Sequence, residues 1–128
     1  MSAKPKILIS DSLSTQAVQT FEEMGCDVTV SGKLTPDELM HIIPEYDGLA
    51  VRSATKVTPE LLEKATKLKG VGRAGLGVDN IDVNACTRNG VVVMNTPFGN
   101  AITTAEHAIA MMFALARHIP QANASTHQ

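Results

Sequence analysis

The chain has no tryptophan, one tyrosine and only two cysteines, and each scarcity removes a class of function. With Tyr46 alone beside three phenylalanines, there is little to stack on a flavin. Cys26 and Cys86 are far apart, show no CxxC spacing and have no histidine or cysteine companion. They read as two reduced, largely buried thiols rather than as metal ligands or a disulfide. No two of His41, His107, His118 and His127 have the spacing of a zinc motif, so no metal is expected. Charge of one sign is also lacking, with 11 basic against 13 acidic residues and a formal net charge of -2. No sequence-wide attraction to nucleic acid or to an anionic membrane follows, and any partner must be recognised locally. The longest uninterrupted apolar run, 108–116, is far too short to span a bilayer. The amino-terminal apolar stretch is too short for a secretory signal, so the expected location is cytoplasmic.

What is present is a chain of 128 residues, 44% hydrophobic and 19% charged, the profile of one globular domain with a real core. Short β-branched runs alternate with helical periodicity, the pattern of a parallel sheet wrapped by helices. Strands are expected at 6–10, 27–30, 48–52, 71–74 and 91–94. A helix over 14–24 buries Ala17, Val18, Phe21 and Met24 and stops at Gly25. Thr35-Pro36-Asp37-Glu38 opens a second helix with a capping box, and Thr58-Pro59-Glu60 opens a third that ends near Lys69-Gly70. The longest helix runs over 101–118, with Thr103 and Glu106 as a capping box and Pro120 as its stop. Residues 121–128 look like a linker or frayed tail. Five βα units imply a flavodoxin-like, doubly wound α/β fold with a five-stranded parallel sheet.

In such a sheet ligands bind beyond the carboxyl ends of the strands, here Asp11, Ser31, Arg52-Ser53, Gly75 and Asn95-Thr96. The stretch Gly70-Val-Gly72-Arg-Ala-Gly75 matches GxGxxG in letters but not in context. A dinucleotide loop needs a strand before the first glycine and a helix at the last. Here a helix is expected before Gly70, which would cap it, and the strand falls inside the match. The more informative stretch is 75–80, GLGVDN, where two glycines between strand and helix let backbone N–H groups converge on an anion. It could equally be a plain turn with Asp79 or Asn80 as a cap. Arg52, at the end of the third strand, suits a carboxylate or phosphate bidentately, and with Arg73 in the neighbouring strand and Lys56 in the following loop a small basic cluster can assemble.

Three blocks, VRSATKVT at 51–58, VGRAGLGVDNIDVNACTRNGVVVMNTPFGN at 71–100 and TTAEHAIAMMFALAR at 103–117, together with KILISDSL at 6–13, resemble the D-isomer-specific 2-hydroxyacid dehydrogenases. The resemblance covers nearly the whole chain. It implies a substrate-binding domain over 1–99, an interdomain and dimerisation helix over 100–120, and an NAD-binding domain absent from this sequence. By position in the motifs, Arg52 holds the phosphate end of 3-phosphoglycerate or a similar small anion, with Arg73 beside it, and the amides of Gly77 and Val78 hold its carboxylate. Asn100 lines the same crevice, and Val78 and Thr104 lie near NAD. The family's glycine-rich NAD loop and its catalytic Arg, Glu and His fall after the last residue here. The expectation is therefore a binding module of an oxidoreductase, itself inactive, binding no NAD appreciably and associating as a homodimer through the 101–118 helix.

Two rivals share the fold. A receiver-type domain needs clustered carboxylates after the first strand, an Asp after the third and a Lys after the fifth, where this chain has Asp11, Arg52 and Asn95. A flavodoxin needs a phosphate loop after the first strand, and the hydroxyl-rich stretch 10–15 there has no glycine and carries Asp11. A free-standing small-anion-binding or scaffold domain remains the alternative.

Overall fold

A computed structural model describes residues 3–127 and places five strands in one parallel sheet. The elements are β1 (Lys6–Ile9), α1 (Thr15–Glu23), β2 (Asp27–Val30), α2 (Pro36–Ile42), a 3-10 turn (Ile43–Glu45), β3 (Gly48–Val51), α3 (Pro59–Lys64), β4 (Gly70–Arg73), α4 (Val83–Arg88), β5 (Val92–Asn95), α5 (Ala101–Ala116) and α6 (Ile119–Thr126). The strand order is β2-β1-β3-β4-β5, the doubly wound arrangement that the alternation of short strands and helices implies.

Register explains the core. Leu8 pairs with Leu49, Leu49 with Val71 and Val71 with Val93, so one row of side chains crosses the sheet on a single face. Leu8 and Val71 are fully buried, and Leu39 of α2, Leu61 and Leu62 of α3 and Ala85 and Cys86 of α4 pack into the same cluster. Each such leucine stabilises the fold by about 1.5–3 kcal/mol relative to an exposed one. Parallel strands buried this way read as near-continuous apolar runs, which is why KILI and GLAV stand out in the sequence.

The helix starts follow their caps. Ser14 accepts the N–H of Ala17, and Thr35 and Glu38 form the reciprocal capping box with Pro36 in the first turn. Gly25, at φ +83, takes the left-handed turn that ends α1. Some expectations need correction. Helix α1 has no fully buried residue: Ala17, Val18 and Phe21 are half-buried, and Met24, which caps the helix after Glu23, is 77% exposed. Helix α3 ends at Lys64 with Ala65 as its cap, so Gly70 is the first residue of β4 and not a helix cap. The Gly70–Gly75 match is thus mostly strand, and the dinucleotide reading fails on geometry.

The described residues fall into two compact units, divided between Thr96 and Pro97. In the second, α5 starts at Ala101 with Asn100 as N-cap, so Thr103 lies inside the first turn and does not cap. The helix ends at Ala116, before Pro120. The break is made by His118 in the left-handed region, φ 51, and Pro120 sits in the first turn of α6, where a missing N–H costs nothing. The stretch expected to be a linker or frayed end is therefore mainly helical, α6 running to Thr126, with Gln128 outside the described residues.

Candidate functional site

Parallel pairing sends the loops after β1, β3 and β4 to the carboxyl end of the sheet, and their polar groups are tied to one another there. Asp11, two residues past β1, is only 5% exposed. Its Oδ2 accepts the backbone N–H of Arg52 at 2.7 Å and of Thr55 at 3.3 Å. Ser10 is fully buried, and its Oγ lies 3.0 Å from Oγ1 of Thr55. From the other side, Nδ2 of Asn80 donates to the carbonyls of Arg52 at 2.7 Å and Thr55 at 2.6 Å. A short parallel bridge between Val57 and Ile81 runs alongside, with the N–H of Val57 bonded to the carbonyl of Asn80.

Arg52 itself is exposed, and its guanidinium makes only a long contact, 3.4 Å from Nη1 to the carbonyl of Ser12. Its charge is thus available at the rim. Lys56 is exposed in the same loop. Arg73 is placed differently. Its side chain is 10% exposed, with Nη1 donating to Asp79 Oδ1 at 2.7 Å. That hydrogen bond holds the Asp79 carboxyl below the usual aspartate value. A Cβ on Gly77 would come within 3.3 Å of Nη1, and one on Gly75 within 3.5 Å of Nε, so the guanidinium lies against the glycine loop. Nε is buried without a hydrogen-bond partner.

The loop carbonyls are held from the β5 side, Nδ2 of Asn95 donating to Leu76 O at 2.7 Å and the N–H of Thr96 to Gly75 O at 3.1 Å. The N–H groups of Gly77 and Val78 donate to no acceptor among the described residues. Neither Asp79 nor Asn80 caps the following helix. Asp82 does so, its Oδ1 accepting the N–H of Ala85 at 2.8 Å.

The structure thus brings Arg52, Gly77 and Val78, on neighbouring loops, and Arg73, the last residue of β4, to the carboxyl ends of β3 and β4. Asn100 and Thr104 belong to the second unit. There Oγ1 of Thr104 donates to the Asn100 carbonyl at 2.8 Å, and the Asn100 side chain makes no capping bond. The ties made by Asp11 and Asn80 were missed in the sequence, where Asp11 was only a strand end and Asn80 only a cap. The signal available was weak, a carboxylate at a strand end and an asparagine closing a glycine loop. Both cysteines are free, Cys86 buried and its thiol pushed up by that burial.

A shallow cleft lined by Lys6, Asp27, His41, Glu45 and Tyr46 includes the first residues of β1 and β2, so it opens toward the strands' amino ends and away from these loops. No described helix is long and apolar enough to cross a membrane.

The family model for the D-isomer specific 2-hydroxyacid dehydrogenase catalytic domain matches residues 7–128. The chain belongs to this family. It is 52% identical over 120 residues to the D-3-phosphoglycerate dehydrogenase of Synechocystis sp., covering 94% of this chain and 22% of that protein. The D-3-phosphoglycerate dehydrogenase of Rattus norvegicus is 50% identical over the same length and share. Among solved structures, the NAD+-bound 3-phosphoglycerate dehydrogenase of Entamoeba histolytica superposes with a TM-score of 0.76 at 34% identity, over 88% of this chain and 39% of that one. The PH0520 protein of Pyrococcus horikoshii gives 0.82 at 28% identity, over 94% and 36%. The chain therefore spans less than a quarter of these two curated relatives and has the fold of an oxidoreductase domain.

Proposed function

We propose that this family member is the substrate-binding portion of an NAD-dependent D-3-phosphoglycerate dehydrogenase, which oxidises 3-phosphoglycerate to 3-phosphohydroxypyruvate in serine biosynthesis. The observation that carries the reading is the pairing of an exposed Arg52 with the two free N–H groups of Gly77 and Val78 on adjacent loops. A guanidinium suits the phosphate, and two backbone N–H groups without partners suit the carboxylate. Arg73 adds positive charge against the glycine loop, although Asp79 offsets part of it. Asn100, Val78 and Thr104 keep the substrate and NAD roles that the family resemblance assigns them.

Oxidation removes a hydride from the alcohol carbon and a proton from its oxygen, which requires a bound nicotinamide and a general acid/base. In this reading both come from the remainder of the enzyme, and the present chain binds and orients. Its exposed α5 also favours self-association as a homodimer. NADH formation from 3-phosphoglycerate and NAD, measured by absorbance on the intact chain, is expected to be absent while isothermal titration shows 3-phosphoglycerate binding at roughly millimolar strength. Clear turnover by this chain alone would overturn the reading, as would no binding.

A further inference from the structure

Each of the two residues that bound the turn after β3 has both its backbone polar groups taken by the same pair of side chains. The N–H groups of Arg52 and Thr55 go to Asp11, and their carbonyls go to Asn80. We propose that Asp11 and Asn80 are positioning residues, which set the 52–55 turn so that Arg52 meets an anionic substrate; the inference rests on the substrate reading above.

Electrostatics alone argues against an aspartate here. A carboxylate near a site for a dianion repels the ligand, and burying it to 5% exposure is unfavourable unless hydrogen bonds compensate. The two N–H groups it accepts supply that compensation, and they are the two that define the turn. The asparagine has a similar logic. Its Oδ1 is buried without a partner, an unfavourable state that persists because the other end of the amide makes two short hydrogen bonds. Two donors on one small planar group are what two facing carbonyls require, and an aspartate at 80 would set a third oxygen against them.

The consequence reaches the ligand through two loops. Asn80 closes the same loop that offers Gly77 and Val78, and its carbonyl also receives the N–H of Val57. The arginine loop and the amide loop are thereby fixed to each other rather than each to the sheet alone. Meanwhile the Arg52 guanidinium makes only its 3.4 Å contact with Ser12 and is not part of the clamp, so the charge is free while its backbone is held. Preorganisation of this kind raises affinity by removing the ordering cost at binding.

The test is an NMR titration of the intact chain with 3-phosphoglycerate at fixed ionic strength, with amide hydrogen exchange read at Arg52 and Thr55. Asp11→Ala and Asn80→Ala are each expected to weaken binding by roughly tenfold, the loss of a hydrogen bond to a charged or buried group, and to speed exchange at both amides. Asp11→Asn keeps an acceptor oxygen and removes the repulsion, so it is expected to bind several-fold tighter than Asp11→Ala. A role in folding alone predicts no such rescue, only lower stability in both variants. If Asp11→Ala does not fold, Asn80→Ala decides by the same readout. Folded alanine variants with unaltered affinity, or an Asp11→Asn as impaired as Asp11→Ala, would overturn the positioning role while leaving the substrate reading intact. A wild-type chain with no saturable shifts at Arg52, Gly77 and Val78 would overturn both.

Discussion

The two units use apolar residues in opposite ways. In the first, Leu8, Ile9, Val51 and Val71 are fully buried, and helices α2, α3 and α4 supply the rest of one shared cluster. In the second, α5 carries Ile109, Met112, Phe113 and Leu115 with between 49% and 71% of each exposed, and neither α5 nor α6 has a buried residue. The first unit has a core of its own. The second is apolar without enclosing anything. Soluble surfaces seldom leave so many large apolar side chains together unless another surface covers them. The lesson is that hydrophobic content alone did not separate the two units, whereas the reach of each element's partners did.

The sharpest way to break the contrast is a matched pair of truncations. Leu8→Ala is expected to cost about 2–5 kcal/mol of stability in urea denaturation, because it empties a closed site in the sheet, while Leu115→Ala stays within about 0.5 kcal/mol. Equal losses would show that α5 belongs to a core after all. Next comes association. At about 25 cal/mol per Å², a few hundred Å² of apolar helix surface favours a partner by several kcal/mol before the cost of association. Sedimentation at micromolar concentration should show a dimer, and Met112→Glu with Phe113→Glu should convert it to monomer with the sheet's circular dichroism unchanged. A monomeric wild-type chain would count against the role given to α5.

The smallest effect is expected at the glycine loop. The Asp79 carboxyl titrates below the ordinary 3.8 because Arg73 donates a hydrogen bond to it. A depressed carboxyl contributes stability above its unfolded value, and that contribution is lost as pH falls through the lower folded value. Since Asp79 is exposed, the effect on unfolding is slight. Its carboxyl carbon, followed by NMR, should titrate below 3.8 in the wild type and move up toward it in Arg73→Ala. No change on mutation would mean that the pair is not formed in solution.

The fold was legible where local rules and tertiary needs agree. The Thr35 capping box, the Gly25 stop and the apolar runs of β1 and β3 each specify their element alone. The end of α3 was not legible, because nothing between Lys64 and Gly70 is a helix breaker and tertiary pairing of β4 decides it. In the sequence Pro120 suits a helix stop and the first turn of a new helix equally well, and only the left-handed His118 distinguishes the two. At the candidate site, Arg52 and the glycine loop could be singled out because charge and glycine are visible as letters. The clamp could not, since Asp11 and Asn80 act through hydrogen bonds to backbone groups 41 and 28 residues away. Arg73 could be placed in sequence only as a second member of a basic cluster, and its burial against Gly75 and Gly77 with Asp79 is what the structure adds.

The central claim is that two neighbouring loops divide one substrate between them, phosphate to Arg52 and carboxylate to Gly77 and Val78. Parallel NMR titrations with 3-phosphoglycerate and with glycerate, which lacks the phosphate, test it most directly. 3-Phosphoglycerate is expected to shift the Arg52 guanidinium and the Gly77 and Val78 amides together. Glycerate should shift the two amides alone and bind more weakly. Arg52→Ala should remove most of the difference in affinity between the two ligands. Identical shift patterns for the two ligands, or shifts confined to the strands' amino ends, would contradict the assignment.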